Sequence, residues 1–189
     1  MPFENLITLA QIKPGHYGYS EDEIRSKEAA LLLTFPEALR TFYLRFGNYQ
    51  GVNNLFEDFL PLDQLSIEEE GYLIFYQEQQ TGQKYGIQRL ELPSKCPNVY
   101  YNESPITPYK WFFDNKNLEH SIIALGYDSA TRILPFWNFQ LEEIDPDDLS
   151  IIQNSFKKLP EELGLWNRRY YRKHLMIVFN YQPVTVEQV

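Results

Sequence analysis

LIFYQEQQTGQKYGI, residues 73–87, decides the fold. An apolar run is followed by six polar or small residues, Glu78 to Gln83, and then by a short run built on Tyr85 and Ile87. Aromatic and β-branched residues on both sides, with Gly82 in the connection, predict two strands at 72–77 and 84–90 joined by a longer hairpin loop. Thr81-Gly82 is turn chemistry, since glycine relieves the backbone strain of a reversal. The tip holds neither His nor Cys, so it is not read as an active site. Glu78 is expected to accept backbone N–H bonds from a neighbouring loop and so stiffen the hairpin. Tyr85 and Gly86 are read as determinants of the fold.

Upstream, Ser20-Glu21-Asp22-Glu23 is a capping box: the hydroxyl accepts from a free backbone N–H and Glu23 reaches back. The helix it opens is expected to run to about Leu33, with Ile24, Leu31, Leu32 and Phe35 on one side. Phe35-Pro36 ends that segment, and Pro36 is expected at the first position of a second helix. Leu39, Phe42, Tyr43 and Phe46 fall at i, i+3, i+4 and i+7, a core-facing stripe. Gly47 is expected to end that helix in the left-handed conformation.

Downstream, residues 48–71 are loop-rich and 98–102 form a third short strand. Residues 104–109 are a loop, 117–127 are helical with Leu118, Ile122 and Leu125 on one face, and 133–139 are extended. Asp145-Pro146 starts a helix with Leu149, Ile152 and Phe156 inward, and 175–181 is a late strand. Clustered strands without regular βα alternation predict an α+β fold, an antiparallel β-sheet flanked by helices. With 189 residues the chain fits one domain, 1–189. Its core spans 20–145, and a C-terminal extension of helix and strand spans 146–189.

Bulk composition narrows the function. Fourteen Tyr, 13 Phe and 3 Trp within a 43% hydrophobic chain supply a sizeable core. No apolar run approaches the roughly 20 residues of a membrane helix, so no membrane partner is expected. MPFENLITLAQIK has no basic start and is not read as a secretory signal. The single cysteine, Cys96, has no internal disulfide partner, which suits a reduced, cytoplasmic compartment. A formal charge of −9 argues against a general nucleic-acid binder, which needs cations to neutralise phosphates. It suits an acidic surface that attracts a basic protein.

Motifs of chemistry are sparse. His16, His120 and His174 are scattered, and there is no HExxH, CxxC or calcium-loop spacing. No glycine-rich phosphate loop and no GxSxG elbow is present. No catalytic residue, metal or cofactor is therefore expected. Acids are so abundant that some carboxylate pair is expected at any distance, and none is diagnostic. Arg168 to His174 is the one basic cluster. It precedes an apolar strand, so it is read as a solvated strand edge whose cations discourage aggregation. Acidic stretches and aromatics in or near loops remain. Tyr49, Glu57, Asp58, Glu69, Tyr100, Tyr101 and Trp111 are the candidate protein-binding residues, because aromatics give large contact area and acids give steering.

The order of pieces resembles a known family. Phe35-Pro36-Glu37-Ala38-Leu39-Arg40-Thr41-Phe42-Tyr43 with Phe46-Gly47-Asn48, then Leu60-Pro61-Leu62-Asp63-Gln64-Leu65, is similar to the opening of the SUKH superfamily. These are bacterial immunity proteins related to a yeast cell-wall-synthesis regulator. Residues 72–80, then Tyr85-Gly86-Ile87, resemble its hallmark hairpin, and Pro97-Asn98-Val99-Tyr100 the strand after it. Tyr85 stands where Trp is common there, and Gln79 where Asn is common. The resemblance covers roughly residues 20–130. It implies an α+β fold without catalysis and an antidote that blocks a cognate toxin protein, often a nuclease, by occupying it; no small-molecule substrate and no direct nucleic-acid contact are expected. The alternatives are a regulatory protein-binding scaffold, as the yeast relative suggests, or a carboxylate-based hydrolase.

Overall fold

The stripe around Phe42 organises the core. The computed structural model describes residues 7, 12–49, 58–68, 70–79, 81–102, 110–133, 145–158, 168–172 and 175–179. Helix α1 is Glu21–Leu31 and α2 is Glu37–Phe46. The capping box forms: Glu23 N–H donates to Ser20 Oγ at 3.3 Å, and Ser20 N–H donates to the Glu23 carboxylate at 2.8 Å. In α2 all four stripe residues, Leu39, Phe42, Tyr43 and Phe46, are buried. Phe42 packs on Phe59 at 4.5 Å between ring centroids, and the Tyr43 hydroxyl donates to the Leu60 carbonyl at 2.6 Å.

Three expectations about the helix ends are corrected. Leu32 does not share the inner face with Ile24; it is 82% exposed. It adopts φ 54°, ψ 46°, and Leu32 N–H and Leu33 N–H donate back to the Ala29 and Glu28 carbonyls. That left-handed step turns the chain out of α1, so the buried Phe35 reaches the core and Leu32 points to solvent. Pro36 stands just before α2, at φ −56° and ψ 148°, and the helix starts at Glu37. Gly47 is right-handed, at φ −59° and ψ −18°. Its glycine answers to space: a Cβ would lie 2.5 Å from the Tyr43 ring and 2.9 Å from the Tyr19 ring.

A leucine in the left-handed region carries a steric cost of about 1–2 kcal/mol that glycine avoids, partly offset by the greater freedom glycine has when unfolded. Leu32→Gly is therefore expected to raise the unfolding free energy by about 0.5–1 kcal/mol. Urea unfolding should show a higher midpoint at unchanged slope. A lower midpoint would mean that the Leu32 side chain itself holds the fold together.

The hairpin predicted at 73–87 forms the centre of a five-stranded antiparallel sheet. Its strands are β1 Ser66–Ile67, β2 Tyr72–Gln77, β3 Lys84–Gln88, β4 Asn98–Asn102 and β5 Trp111–Asn117, in the order β1-β2-β3-β4-β5. Leu73 pairs with Ile87, Ile74 with Gly86 and Tyr76 with Tyr85, so the register shifts across Phe75. This bulge lets Phe75 and Tyr76 both reach the core, where strict alternation would send one of them away. Phe59 forms an isolated bridge to Tyr76, and β1 pairs with β2 at Leu73 and Ile74.

Helix α3, Leu118–Ile133, follows β5 directly. The Asn117 side chain accepts from His120 N–H at 3.0 Å and starts it. Leu118, Ile122 and Leu125 are buried as expected, together with Ile123, Ala124 and Tyr127. The helix packs against α2, β4 and β5. Asp114 links strand to helix: it accepts from Ser121 Oγ at 3.1 Å and pairs with Lys116 at 3.3 Å. Burial pushes its carboxyl upward, against the opposing pull of Lys116 and Ser121.

Helix α4, Pro146–Ser155, is capped by the Asp145 carboxylate, which accepts from Asp147 N–H at 2.7 Å. It packs on a second antiparallel sheet, β6 Lys157–Lys158, β7 Arg168–Arg172 and β8 Leu175–Phe179, in that order. Among its described residues the extension thus holds a helix and three strands, where one strand is expected from the sequence. The basic stretch at 168–172 is corrected from edge to centre, because β6 and β8 bond to its two sides. Of the extended piece expected at 133–139, Ile133 belongs to α3 and the rest lies outside the described residues. The fold is α+β with antiparallel sheets. No helix among the described residues is long and apolar enough to cross a membrane.

Candidate protein-binding face

Alternation along the strands divides the aromatic residues between the two faces of the five-stranded sheet. One face carries Leu73, Ile87 and Val99 into the core beneath the helices. The opposite face carries Tyr72, Tyr100, Trp111 and Phe113. The Tyr72 and Trp111 rings stack at 4.2 Å with 16° between their planes. Tyr100 meets Tyr72 edge-on at 5.5 Å and packs on Phe113 at 5.9 Å. Tyr72 and Trp111 belong to strands separated by β3 and β4, so their rings must reach across the sheet. Gly86, opposite Tyr100 in the ladder, leaves the room: a Cβ there would lie 3.0 Å from Ile74 Cδ1 and 3.3 Å from Tyr72 Cβ.

The rings are braced. The Tyr100 hydroxyl donates to one Glu91 carboxylate oxygen at 2.6 Å, and Asn98 N–H donates to the other at 2.9 Å. On the same face Lys84 and Glu68 form an ion pair, and the buried Asn102 side chain accepts from Lys84 N–H at 3.2 Å. Phe113 is the exposed member, half accessible at 50%. The face therefore presents preorganised aromatic rings with one solvent-facing Phe. Such a surface suits protein contact, because rigid rings lose little freedom on binding.

The hydrogen bond to Glu91, with burial and the negative charge of Glu91 behind it, pushes the Tyr100 phenol up to about 12. A raised phenol is protonated in the folded state where the unfolded chain has ionised. Its contribution is therefore full below pH 10 and is lost as pH rises through about 12. Subtracting the tyrosinate absorbance titration of Tyr100→Phe from that of the wild type isolates this group. The difference curve should centre near 12, and Glu91→Gln should bring it back toward 10. A midpoint already near 10 in the wild type would contradict the bond.

Of the residues singled out in the sequence, the structure brings Tyr100 and Trp111 together on this face, in strands and not in loops. Tyr101, their neighbour, faces the other way and lies between Tyr85 at 5.9 Å and Phe112 at 5.7 Å. Tyr49 is half-buried, edge-on to Tyr17 at 4.9 Å, and burial raises its phenol. Asp58 is corrected: it is 3% exposed and turned inward. Its carboxylate accepts from the Tyr76 hydroxyl at 3.2 Å and Gln79 N–H at 3.3 Å, and its carbonyl from Gln77 N–H at 2.8 Å. It therefore anchors the hairpin and cannot meet a partner. Glu57 and Glu69 lie outside the described residues.

Glu78 stiffens the hairpin from within. Its carboxylate accepts from Thr81 N–H at 2.9 Å and from the Thr81 hydroxyl. The bond from a neighbouring loop runs the other way, with Asp58 as acceptor. Gly82 is left-handed at φ 71°, as the turn requires. Tyr72 and Phe113 were not singled out in the sequence. The signal for Phe113 was the Trp111-x-Phe113 spacing, which puts both rings on one face once 111–117 is known to be a strand. Among the described residues no three His, Cys, Asp or Glu are grouped to hold a metal ion. Comparison with protein-family models, with curated proteins and with solved structures gives no match.

Proposed function

We propose that this chain is a non-catalytic, cytoplasmic immunity protein that binds a cognate bacterial toxin and neutralises it by occlusion. The observation that carries this reading is the braced aromatic face of Tyr72, Tyr100, Trp111 and the half-exposed Phe113. Two further features support it: the −9 formal charge, which favours a basic partner, and the resemblance of residues 20–130 to the SUKH pattern. Aromatic anchors supply most of the affinity of such an interface, while acidic residues raise the association rate.

The test is co-expression with a candidate toxin domain, sought first among the neighbouring genes, followed by binding kinetics on the purified pair. Protection with a one-to-one complex is expected, and the association rate should fall as salt rises while dissociation changes less. Protection without any complex, or turnover of a small molecule by the chain alone, would overturn the proposal.

A further inference from the structure

A second surface, on the helix side, has its own chemistry. An open groove of about 680 Å³ lies between α1 and the turn Leu62–Gln64. Tyr19, Ala30 and Leu62 give it an apolar floor, and Asp22, Glu23 and Asp63 stand along it. The elements are tied together: Leu62 N–H donates to the Tyr19 hydroxyl at 3.3 Å, and Lys27 Nζ donates to the Asp63 carbonyl at 2.7 Å.

The charges around the groove do not balance. Three carboxylates face one ammonium, and that ammonium is spent on a backbone carbonyl. One Glu23 oxygen holds Ser20. The Asp22 and Asp63 carboxylates have no hydrogen-bond or ion-pair partner among the described residues; only their backbone carbonyls are used. The carboxylates are not grouped as metal ligands. An apolar floor between separated acids instead suits a long side chain with an aliphatic stem and a cationic head.

We infer that this groove docks an arginine-bearing segment of a partner protein, the stem lying over Tyr19, Ala30 and Leu62 and the guanidinium reaching Asp22 and Asp63. The groove has this chemistry whether or not the partner is a toxin.

The probe is a short synthetic peptide with two arginines flanking a leucine, titrated into the whole ¹⁵N-labelled protein. Amide shifts should change at Ala30, Leu62 and Asp63, and the affinity should fall as salt rises. A peptide with glutamates in place of the arginines should not bind. Asp22→Asn with Asp63→Asn should weaken binding about tenfold while lowering the melting temperature by only about 1–4 °C, the cost of removing one first-turn charge of α1. Ala30→Lys, at an exposed position, should also weaken it by placing a cation in the groove. Equal binding of the glutamate peptide, shifts that avoid the groove, or full affinity in both variants would overturn the inference. So would free arginine binding as tightly as the peptide, since that would make the site one for a small molecule.

Discussion

Gly18→Ala is expected to cost about 3 kcal/mol of stability. A Cβ at residue 18 would sit 1.7 Å from the Leu44 carbonyl oxygen, 2.1 Å from its carbon and 2.8 Å from Arg45 N. These are backbone atoms of α2 and have no rotamer to swing aside. The flanking residues pin the approach, since Tyr19 N–H donates to the Tyr43 carbonyl at 2.9 Å and Asn48 N–H to the Tyr17 carbonyl at 2.8 Å. The extra methyl must push the segment off α2 and strain those bonds.

For a chain of this size that loss lowers the melting temperature by roughly 6–12 °C. Gly71 is the internal control. It is left-handed at φ 83° with nothing within 4 Å of an added Cβ, so Gly71→Ala should cost only about 1 kcal/mol, from backbone strain. Thermal melts of the two variants separate a clash with packed backbone from conformational strain. Equal shifts would show that the segment around Gly18 yields freely.

Phe113→Ala is expected to weaken binding of the proposed protein partner about 30-fold, near 2 kcal/mol, as loss of an interface anchor does. Its neighbour makes the measurement decisive. Phe112 and Phe113 have the same side chain and similar exposure, 43% and 50%, and they point to opposite faces of β5. Phe112 packs on Tyr101 and Phe113 on Tyr100. Phe112→Ala should therefore leave affinity within about threefold. Because both side chains are already substantially exposed, neither change should unfold the protein, and calorimetry on each variant checks this. The reverse ranking would move the interface to the Tyr101 side of the sheet.

The hairpin, the capping box and the α2 stripe could be read from the chain because each is written in local spacing. Leu39, Phe42, Tyr43 and Phe46 follow the helical period, and period alone predicts their burial. Gly47 is legible as a glycine position only with its distant neighbours in view. Gly47 looked like a left-handed terminus, yet the rings of Tyr43 and Tyr19 are what exclude a side chain there. Leu32 has the position of a core residue, but α1 ends at Leu31, about two residues earlier than its apolar pattern suggests.

What the sequence determined by itself was the fold class and its locally written elements: two amphipathic helices, a long-looped hairpin and an aromatic, acidic composition; strand β5, which carries Trp111 and Phe113, was not legible in it. Only the tertiary structure decided which aromatics share a surface. Strand register sends Tyr100 to one face and Tyr101 to the other, and pairing across β2 to β5 brings Tyr72 to Trp111. It also turned Asp58 from a surface acid into a buried anchor. The physical reason is that composition and period act along the chain, whereas burial and ring contact depend on register between strands, and a shift of one residue exchanges the two faces.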